Sequence, residues 1–149
     1  MSSTGYTAER AAPSKHAEDA VYDTLAIRGY NPMRLPLDGH MPELRLGTGE
    51  YVEVKTGEPN LTIELNDFVA WRSLKSILYI VHVHPNGWTV NTPETLRLLR
   101  QVSPGPRRRS GTGSNDDWLC FHYGGTPFDD YFPTIRIGHQ PGAGASKGQ

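Results

Sequence analysis

Two glutamates and a lysine in this chain have the types and spacing of a metal site with a catalytic lysine. Glu43 follows Pro42, and Glu53 and Lys55 come shortly afterwards in the segment MPELRLGTGEYVEVKTG, residues 41–57. Carboxylate oxygens are the ligands that hard divalent cations such as Mg²⁺ prefer. A lysine beside such a cation can orient a water molecule or stabilise charge that develops on a phosphate. These residues therefore predict metal-assisted hydrolytic chemistry.

The same segment predicts the two-stranded hairpin that would bring these side chains together. Polar and apolar residues alternate on both sides of a Gly-Thr-Gly sequence, which is typical of half-buried strands joined by a turn. Side chains two residues apart on a strand share a face, so Glu53 and Lys55 point the same way. Val52 and Val54 then point into a core, and pairing in register brings Glu43 alongside the two charged residues.

Composition alone gives the tripeptide Glu53-Val54-Lys55 little weight. With 16 acidic residues and four lysines in the chain, an acid-x-Lys sequence is expected about 0.4 times by chance. The case for a functional motif is stronger because apolar strand positions flank the tripeptide and Pro42-Glu43 precedes it. These features place the charged residues on a predicted sheet. The alternative is an exposed Glu–Lys pair on a strand face with no chemical role.

Length and composition indicate the class of protein. A chain of 149 residues with 36% hydrophobic residues can form one domain with a proper core. The net charge of −1 supplies no global field that attracts nucleic acid, so such attraction must come from a local patch. The single cysteine excludes an internal disulfide and is typical of a reducing compartment. With no apolar run of membrane-spanning length and no signal-peptide core, we expect a soluble cytoplasmic protein without membrane contact.

Local patterns predict helices and strands around the hairpin. Ser14, Thr62 and Thr92 are the expected helix caps. The predicted elements are a helix over 14–28, an edge strand over 30–37, the hairpin, a helix over 62–75, a central strand over 77–83, a strand over 88–90, a helix over 92–101 and a strand over 118–123. The termini are polar or Gly-rich. We therefore expect a flexible N-terminus over 1–12, a single domain over 13–137 and a disordered tail over 138–149.

The order helix, three strands, helix, strand resembles the PD-(D/E)xK nuclease superfamily, in particular its small Holliday-junction-resolvase-like members. The resemblance covers residues 14–84. It implies an α/β fold with a restriction-endonuclease-like αβββαβ core, in which helices flank a central mixed β-sheet. It also implies a metal-dependent endonuclease that uses Mg²⁺ or Mn²⁺ to cleave DNA phosphodiester bonds, including those of branched or structured DNA. A homodimer is implied as well, and RNA stays open as a substrate.

The superfamily motif implies a role for each matching residue of this sequence. Glu43 matches the first metal-binding acid, Glu53 the second, and Lys55 the lysine that orients and helps to activate the attacking water. The backbone carbonyl of Val54 is implied as a further metal ligand. Glu18 matches the glutamate that many members add to the metal site from their first helix.

Two of these assignments have alternatives in the sequence. Glutamate at position 43 departs from the usual aspartate, and Asp38 is the other candidate for the first acid. Asp38 precedes a glycine outside the strand pattern, so we assign it to a loop or turn. Glu18 could instead be an exposed acid in the first turn of a helix, where the helix dipole stabilises it.

Basic residues elsewhere are candidates for contacts with DNA phosphates. Arg72 and Lys75 come at the end of the predicted second helix, where they could instead stabilise the helix dipole. Arg107, Arg108 and Arg109 lie in a Ser/Pro/Gly-rich segment and could contact phosphates or remain solvated.

Two other functions are compatible with the sequence. One is a catalytically inactive nucleic-acid-binding module on the same fold. The other is a zinc-dependent hydrolase that uses His82 and His84 together with His40 or His122, although no third ligand stands at a typical zinc spacing. Dependence on the metal separates these functions from a nuclease.

Overall fold

The computed structural model describes residues 8–37, 39–57, 61–103, 117–122 and 124–135, with the backbone alone for residues 8–14. In chain order the elements are α1 (Ala8–Ile27), β1 (Met33–Arg34), β2 (Leu44–Arg45), β3 (Tyr51–Thr56), β4 (Leu61–Glu64), α2 (Leu65–Arg72), β5 (Leu78–His84), β6 (Gly87–Asn91), β7 (Leu98–Val102), β8 (Trp118–Phe121), β9 (Thr126–Pro127) and α3 (Phe128–Tyr131). None of the helices described combines the length and the apolar character needed to span a lipid bilayer.

A six-stranded mixed sheet in the order β1-β2-β3-β5-β6-β9 lies at the centre of the fold. β3 and β5 are parallel, with Lys55 opposite His82, and the other neighbouring strands described in this sheet are antiparallel. Parallel neighbours need a long crossover connection, and the segment that contains β4 and α2 provides it. The predicted central mixed sheet flanked by helices is therefore confirmed.

Apolar side chains cover both faces of this sheet. On one face, α1 and α3 pack over a cluster that includes Val21, Leu25, Val52, Val54 and Phe128. On the other face, α2 and a second sheet pack over a cluster that includes Leu61, Ile63, Trp71, Ile80 and Phe121. The alternation of β3 thus sends its two valines into the first core, as predicted, and leaves Glu53 and Lys55 on the α2 side.

The second sheet is antiparallel, in the order β4-β8-β7, and its first strand corrects the predicted start of the second helix. Leu61 and Ile63 are buried while Thr62 between them is exposed. This period of two is typical of a strand, and β4 pairs with β8 over its whole length. Thr62 is therefore a strand residue, and the helix runs only from Leu65 to Arg72.

The predicted helix over 92–101 is wrong, because side-chain hydrogen bonds turn the chain there. The hydroxyl of Thr95 accepts a hydrogen bond from the N–H of Thr92 at 2.8 Å and donates one to Oδ1 of Asn91 at 3.0 Å. Local bonds of this kind compete with helix formation. The residues that follow form β7, which pairs with β8.

The ends of three other elements also differ from the sequence prediction. α1 begins at Ala8 instead of Ser14, and the alanines before Pro13 favour a helix. The predicted edge strand over 30–37 is reduced to the two residues of β1, and the last predicted strand ends at Phe121. The predicted tail over 138–149 lies outside the described residues, and the domain limits 13–137 stay a prediction.

Candidate active site

The end of β2 creates a place for two carboxylates beside β3. Leu44 pairs with Val52, so Glu43 lies opposite Glu53 where the pairing stops. Oε1 of Glu43 accepts a hydrogen bond from the N–H of Val54 at 2.9 Å, and Oε1 of Glu53 accepts one from the N–H of Glu43 at 3.1 Å. These reciprocal side-chain-to-backbone bonds continue the contact between the strands, and they fix the two carboxylates next to each other.

Lys55 completes the charged group on the same face of β3. Its Nζ lies 3.4 Å from Oε2 of Glu53 and 5.6 Å from the centroid of the Trp71 ring. The side chains of Lys55 and Glu53 are 25% and 8% exposed, so this ion pair is shielded from water and is stronger than a surface pair. The cation–π contact with the indole ring further holds the ammonium in place.

Glu18 reaches the same cluster from the opposite face of the sheet. It lies on α1 next to the buried Ala17, close enough to Glu43 to raise the pKa of the Glu43 carboxyl. Two ionised carboxylates at this distance repel each other, and a cation between them would remove the repulsion. The structure thus brings Glu18, Glu43 and Glu53 together from α1, the end of β2 and β3.

Burial and neighbouring negative charges raise the pKa values of both hairpin glutamates. Burial, then the charge of Glu53 and the hydrogen bond with Glu18, raise the pKa of Glu43 from 4.5 to about 9. Burial raises the pKa of Glu53 to about 7, although the charge and hydrogen bond of Lys55 oppose it. Asp67 on α2 adds a further negative charge near Glu53. A cation among these oxygens would remove the repulsion and favour the ionised carboxylates.

The donor atoms fit a hard divalent cation. Glu43 and Glu53 each use one oxygen for a backbone amide, and the other oxygen of each stays available to a ligand or a neighbouring cation. Within a strand the N–H and the C=O of a residue point to the same side, so the carbonyl of Val54 faces the edge where Glu43 lies. Oxygen donors of this kind suit Mg²⁺ and Mn²⁺.

Two of the predicted phosphate contacts lie elsewhere. Arg72 and Lys75 line a cavity of about 540 Å³ at the start of β5. Both side chains are exposed, and the guanidinium of Arg72 lies 5.8 Å from the centroid of the Phe68 ring. They belong to the C-terminal end of α2 and the turn after it, whereas the carboxylates lie near its N-terminal end. Asp38 and Arg107, Arg108 and Arg109 lie outside the described residues.

The strand histidines occupy a different environment from the carboxylates. His82 and His84 are buried on β5 with ring centroids 5.1 Å apart, and Nε2 of His82 donates a hydrogen bond to the carbonyl of Gly57 at 2.8 Å. In the part of the chain that the structure describes, they form no group with a third His, Cys, Asp or Glu at ligand distance. His40 lies instead beside Asp67, and His122 is exposed after β8.

The contribution of α2 to this region has no signal in the sequence. Asp67 and Trp71 lie one turn apart on α2, and both act on the residues of β3, Asp67 through its charge and Trp71 through its ring. An acidic residue in a first helical turn is ordinarily explained by the helix dipole. The three-dimensional packing of α2 against β3 was needed to recognise these contacts.

Comparison with known proteins shows the fold. No protein-family model and no curated protein matches the sequence. The solved structure of Hjc, a Holliday junction resolvase from the archaeal hyperthermophile Archaeoglobus fulgidus, is similar with a TM-score of 0.58 at 14% sequence identity. The similarity covers 83% of this chain and 98% of that one. This chain therefore has the mixed α/β fold of that resolvase.

Proposed function

We propose that the protein is a divalent-metal-dependent nuclease that hydrolyses phosphodiester bonds in branched or structured DNA. The observation that carries this proposal is the hydrogen-bonded pair of Glu43 and Glu53 with the ammonium of Lys55 at 3.4 Å. Its occurrence in the fold of a Holliday junction resolvase supports DNA as the substrate and a branch as the preferred structure.

The residues divide the work of hydrolysis among them. Glu43 and Glu53 would hold Mg²⁺ or Mn²⁺, with the carbonyl of Val54 and the carboxylate of Glu18 as further ligands. The bound ion supplies a Lewis acid for the scissile phosphate and lowers the pKa of a coordinated water. Lys55 orients the attacking water by a hydrogen bond and offsets negative charge on the phosphate. Glu53 and Trp71 keep the ammonium in the position that this role requires.

Phosphate contacts outside the reaction centre would bind the rest of the substrate. Arg72 and Lys75 are exposed cations at the C-terminal end of α2, and Arg107, Arg108 and Arg109 form a basic run in the sequence. Each phosphate contact that is removed should weaken DNA binding and lower the salt dependence of binding by about one unit of slope. Cleavage by bound protein should change little.

A cleavage assay with separate measurement of binding tests the proposal. Wild-type protein, Glu53→Gln and the control Lys15→Gln, a change at a lysine of α1 whose side chain is 64% exposed, are incubated with a four-way junction, a flap, a duplex and single-stranded DNA and RNA, in Mn²⁺, Mg²⁺, Zn²⁺ or EDTA. We expect the wild type and the control to cut a branched DNA with Mn²⁺ or Mg²⁺. Glu53→Gln should bind this DNA without cutting it, because the neutral amide cannot replace the carboxylate as a metal ligand.

The other outcomes point to other functions. A wild-type protein that binds DNA but cuts no substrate with any ion would support a binding module. Cleavage that needs Zn²⁺, survives in Glu53→Gln and disappears in His82→Ala would support a histidine-based hydrolase.

A further inference from the structure

A second group of metal-ligating side chains lies close to the glutamate pair. His40, Glu64 and Asp67 each offer one ligand atom, and these atoms lie within 4.8 Å of one another. Nδ1 of His40 is 2.5 Å from Oδ1 of Asp67. An imidazole with two carboxylates is a donor set for transition-metal ions, whereas Mg²⁺ prefers oxygen ligands alone.

The start of α2 directs both acids towards the same point. Glu64 is the N-cap residue of α2, yet its side chain makes no capping hydrogen bond. Asp67 lies in the first turn, where an acid commonly bonds back to the N-cap amide, but its carboxylate faces His40. Neither acid therefore has the usual role of an acid at a helix start.

A core residue holds the histidine in place. The indole Nε1–H of Trp71 donates a hydrogen bond of 2.7 Å to the carbonyl of His40. Trp71 is only 3% exposed, and it lies one helical turn after Asp67. Asp67 of α2 and the N-cap residue Glu64 thus supply two of the three donors, and Trp71 of the same helix fixes the backbone of the third. This anchoring distinguishes the group from acids that meet by chance on a surface.

The electrostatic surroundings favour a cation at this group. The negative charge of Asp67 acts on Glu53, and Glu53 already lies against Glu43 and the carboxyl of Glu18 beyond it. Glu18, Glu43, Glu53 and Asp67 thus lie near one another, and the ammonium of Lys55 contacts Glu53 at 3.4 Å. A divalent ion bound by His40, Glu64 and Asp67 would reduce this repulsion.

We propose that His40, Glu64 and Asp67 form a second metal site, which takes a transition-metal ion of the Mn²⁺, Co²⁺ or Zn²⁺ type. This site goes beyond the proposed nuclease centre, because its binding depends on an imidazole and does not require Glu43 or Glu53.

Titration with Co²⁺ in excess Mg²⁺ tests the second site. Mg²⁺ occupies oxygen-only sites, and Co²⁺ bound to protein ligands gives a visible absorption that reports its coordination. Wild-type protein, Glu53→Gln and the control His122→Ala should bind Co²⁺ with similar affinity. His40→Ala and Asp67→Asn should weaken this binding by about 100-fold or more, because loss of an outer-shell partner alone already costs 10–100-fold.

Folding and nuclease activity are checked separately. The side chain of His40 is 44% exposed, so we expect His40→Ala to keep the metal-free melting temperature of the wild type. Unchanged Co²⁺ affinity in both His40→Ala and Asp67→Asn would overturn the second site, as would loss of Co²⁺ binding in Glu53→Gln alone. Absence of cleavage in the wild type would count against the proposed nuclease and not against Co²⁺ binding at His40.

Discussion

The backbone N–H of Glu43 donates a hydrogen bond of 3.1 Å to the carboxylate of Glu53. In return, the carboxylate of Glu43 accepts a bond from Val54, the residue that follows Glu53. The separation of the two acids is therefore set by the hairpin backbone rather than by flexible side chains. Glutamate has one methylene more than the aspartate that is usual at the first motif position. At position 43 this length lets the carboxylate reach beyond the end of β2 and accept the hydrogen bond from the amide of Val54 on β3.

Replacement of Lys55 by methionine should separate catalysis from binding. We expect Lys55→Met to lower the rate of DNA cleavage by about 10²–10⁴-fold, the usual loss for one acid–base or electrostatic group. Binding of Mn²⁺, followed by calorimetry, should persist or tighten, because the competing ammonium beside Glu53 is gone. Lys15→Met, a change at a lysine of α1 whose side chain is 64% exposed, serves as the control. A variant that loses DNA binding while the wild type cuts nothing would make Lys55 a phosphate contact.

The two candidates for the first metal-binding acid can be compared directly. Glu43→Gln should abolish Mn²⁺-dependent cleavage and keep the fold, because a glutamine oxygen can still accept the hydrogen bond from Val54. Asp38→Asn should change the cleavage rate by less than about threefold, the range of ordinary surface changes of up to 0.5 kcal/mol. The opposite pattern would assign the first acid to Asp38.

Stability of the metal-free protein should fall as the pH rises. The pKa of Glu43 is about 9 and that of Glu53 about 7 in the folded protein, against 4.5 for an ordinary glutamate. Above about pH 5 the unfolded chain has lost these protons while the folded protein still holds them. The free energy of unfolding should therefore decrease by up to about 1.4 kcal/mol per pH unit for each group, until the pH passes the folded pKa of that group.

Urea denaturation in EDTA between pH 5 and pH 9 measures this decrease. Glu43→Gln should reduce this decrease, because burial and the neighbouring carboxylates raise the pKa of Glu43 and the amide cannot release a proton. Excess Mn²⁺ should restore the stability of the wild type at high pH, since the ion binds the ionised carboxylates. Stability that is independent of pH in EDTA would contradict the raised pKa values.

Truncation of Leu44 should test the face of β2 that holds Glu43 in place. Leu44 is 2% exposed within the core cluster of α1, whereas Leu98 on β7 is 55% exposed. Leu44→Ala should lower the free energy of unfolding by about 2–5 kcal/mol, and the matched change Leu98→Ala by less than about 1 kcal/mol. Urea denaturation of the two variants gives both values. Equal values would contradict this orientation of the strand.

The parts of the fold that depend on neighbouring residues could be predicted from the sequence. Alternation around Val52 and Val54 predicted the hairpin and its buried face, since each strand needs only its partner across a short turn. The helix predicted over 92–101 failed because β7 pairs with β8, which lies beyond the segment 104–116. A strand of this kind depends on a distant partner, and no local pattern reveals it.

In the candidate site too, residues close together in the sequence could be predicted, and contacts between distant residues could not. Glu43, Glu53 and Lys55 could be proposed from one short segment of sequence. His40 and Asp67 could not be connected, because they lie far apart in the chain and meet only when α2 packs on β3. Thr62 was misassigned because threonine is a preferred helix cap, and burial of Leu61 and Ile63 outweighed that preference.

The pairing of Leu44 with Val52 also constrains how the length of this hairpin can vary. Its turn is closed by a bond from the N–H of Gly49 to the carbonyl of Leu46, with Gly49 at a φ of 105°. If the turn stays the same, one residue inserted into the first arm places Glu43 opposite Val54, and one inserted into the second arm places it opposite Val52. Either insertion moves Glu43 off the register of Glu53. One residue added to each arm restores the register. In chains that share this fold and turn, the spacing between the two acids should therefore change in steps of two.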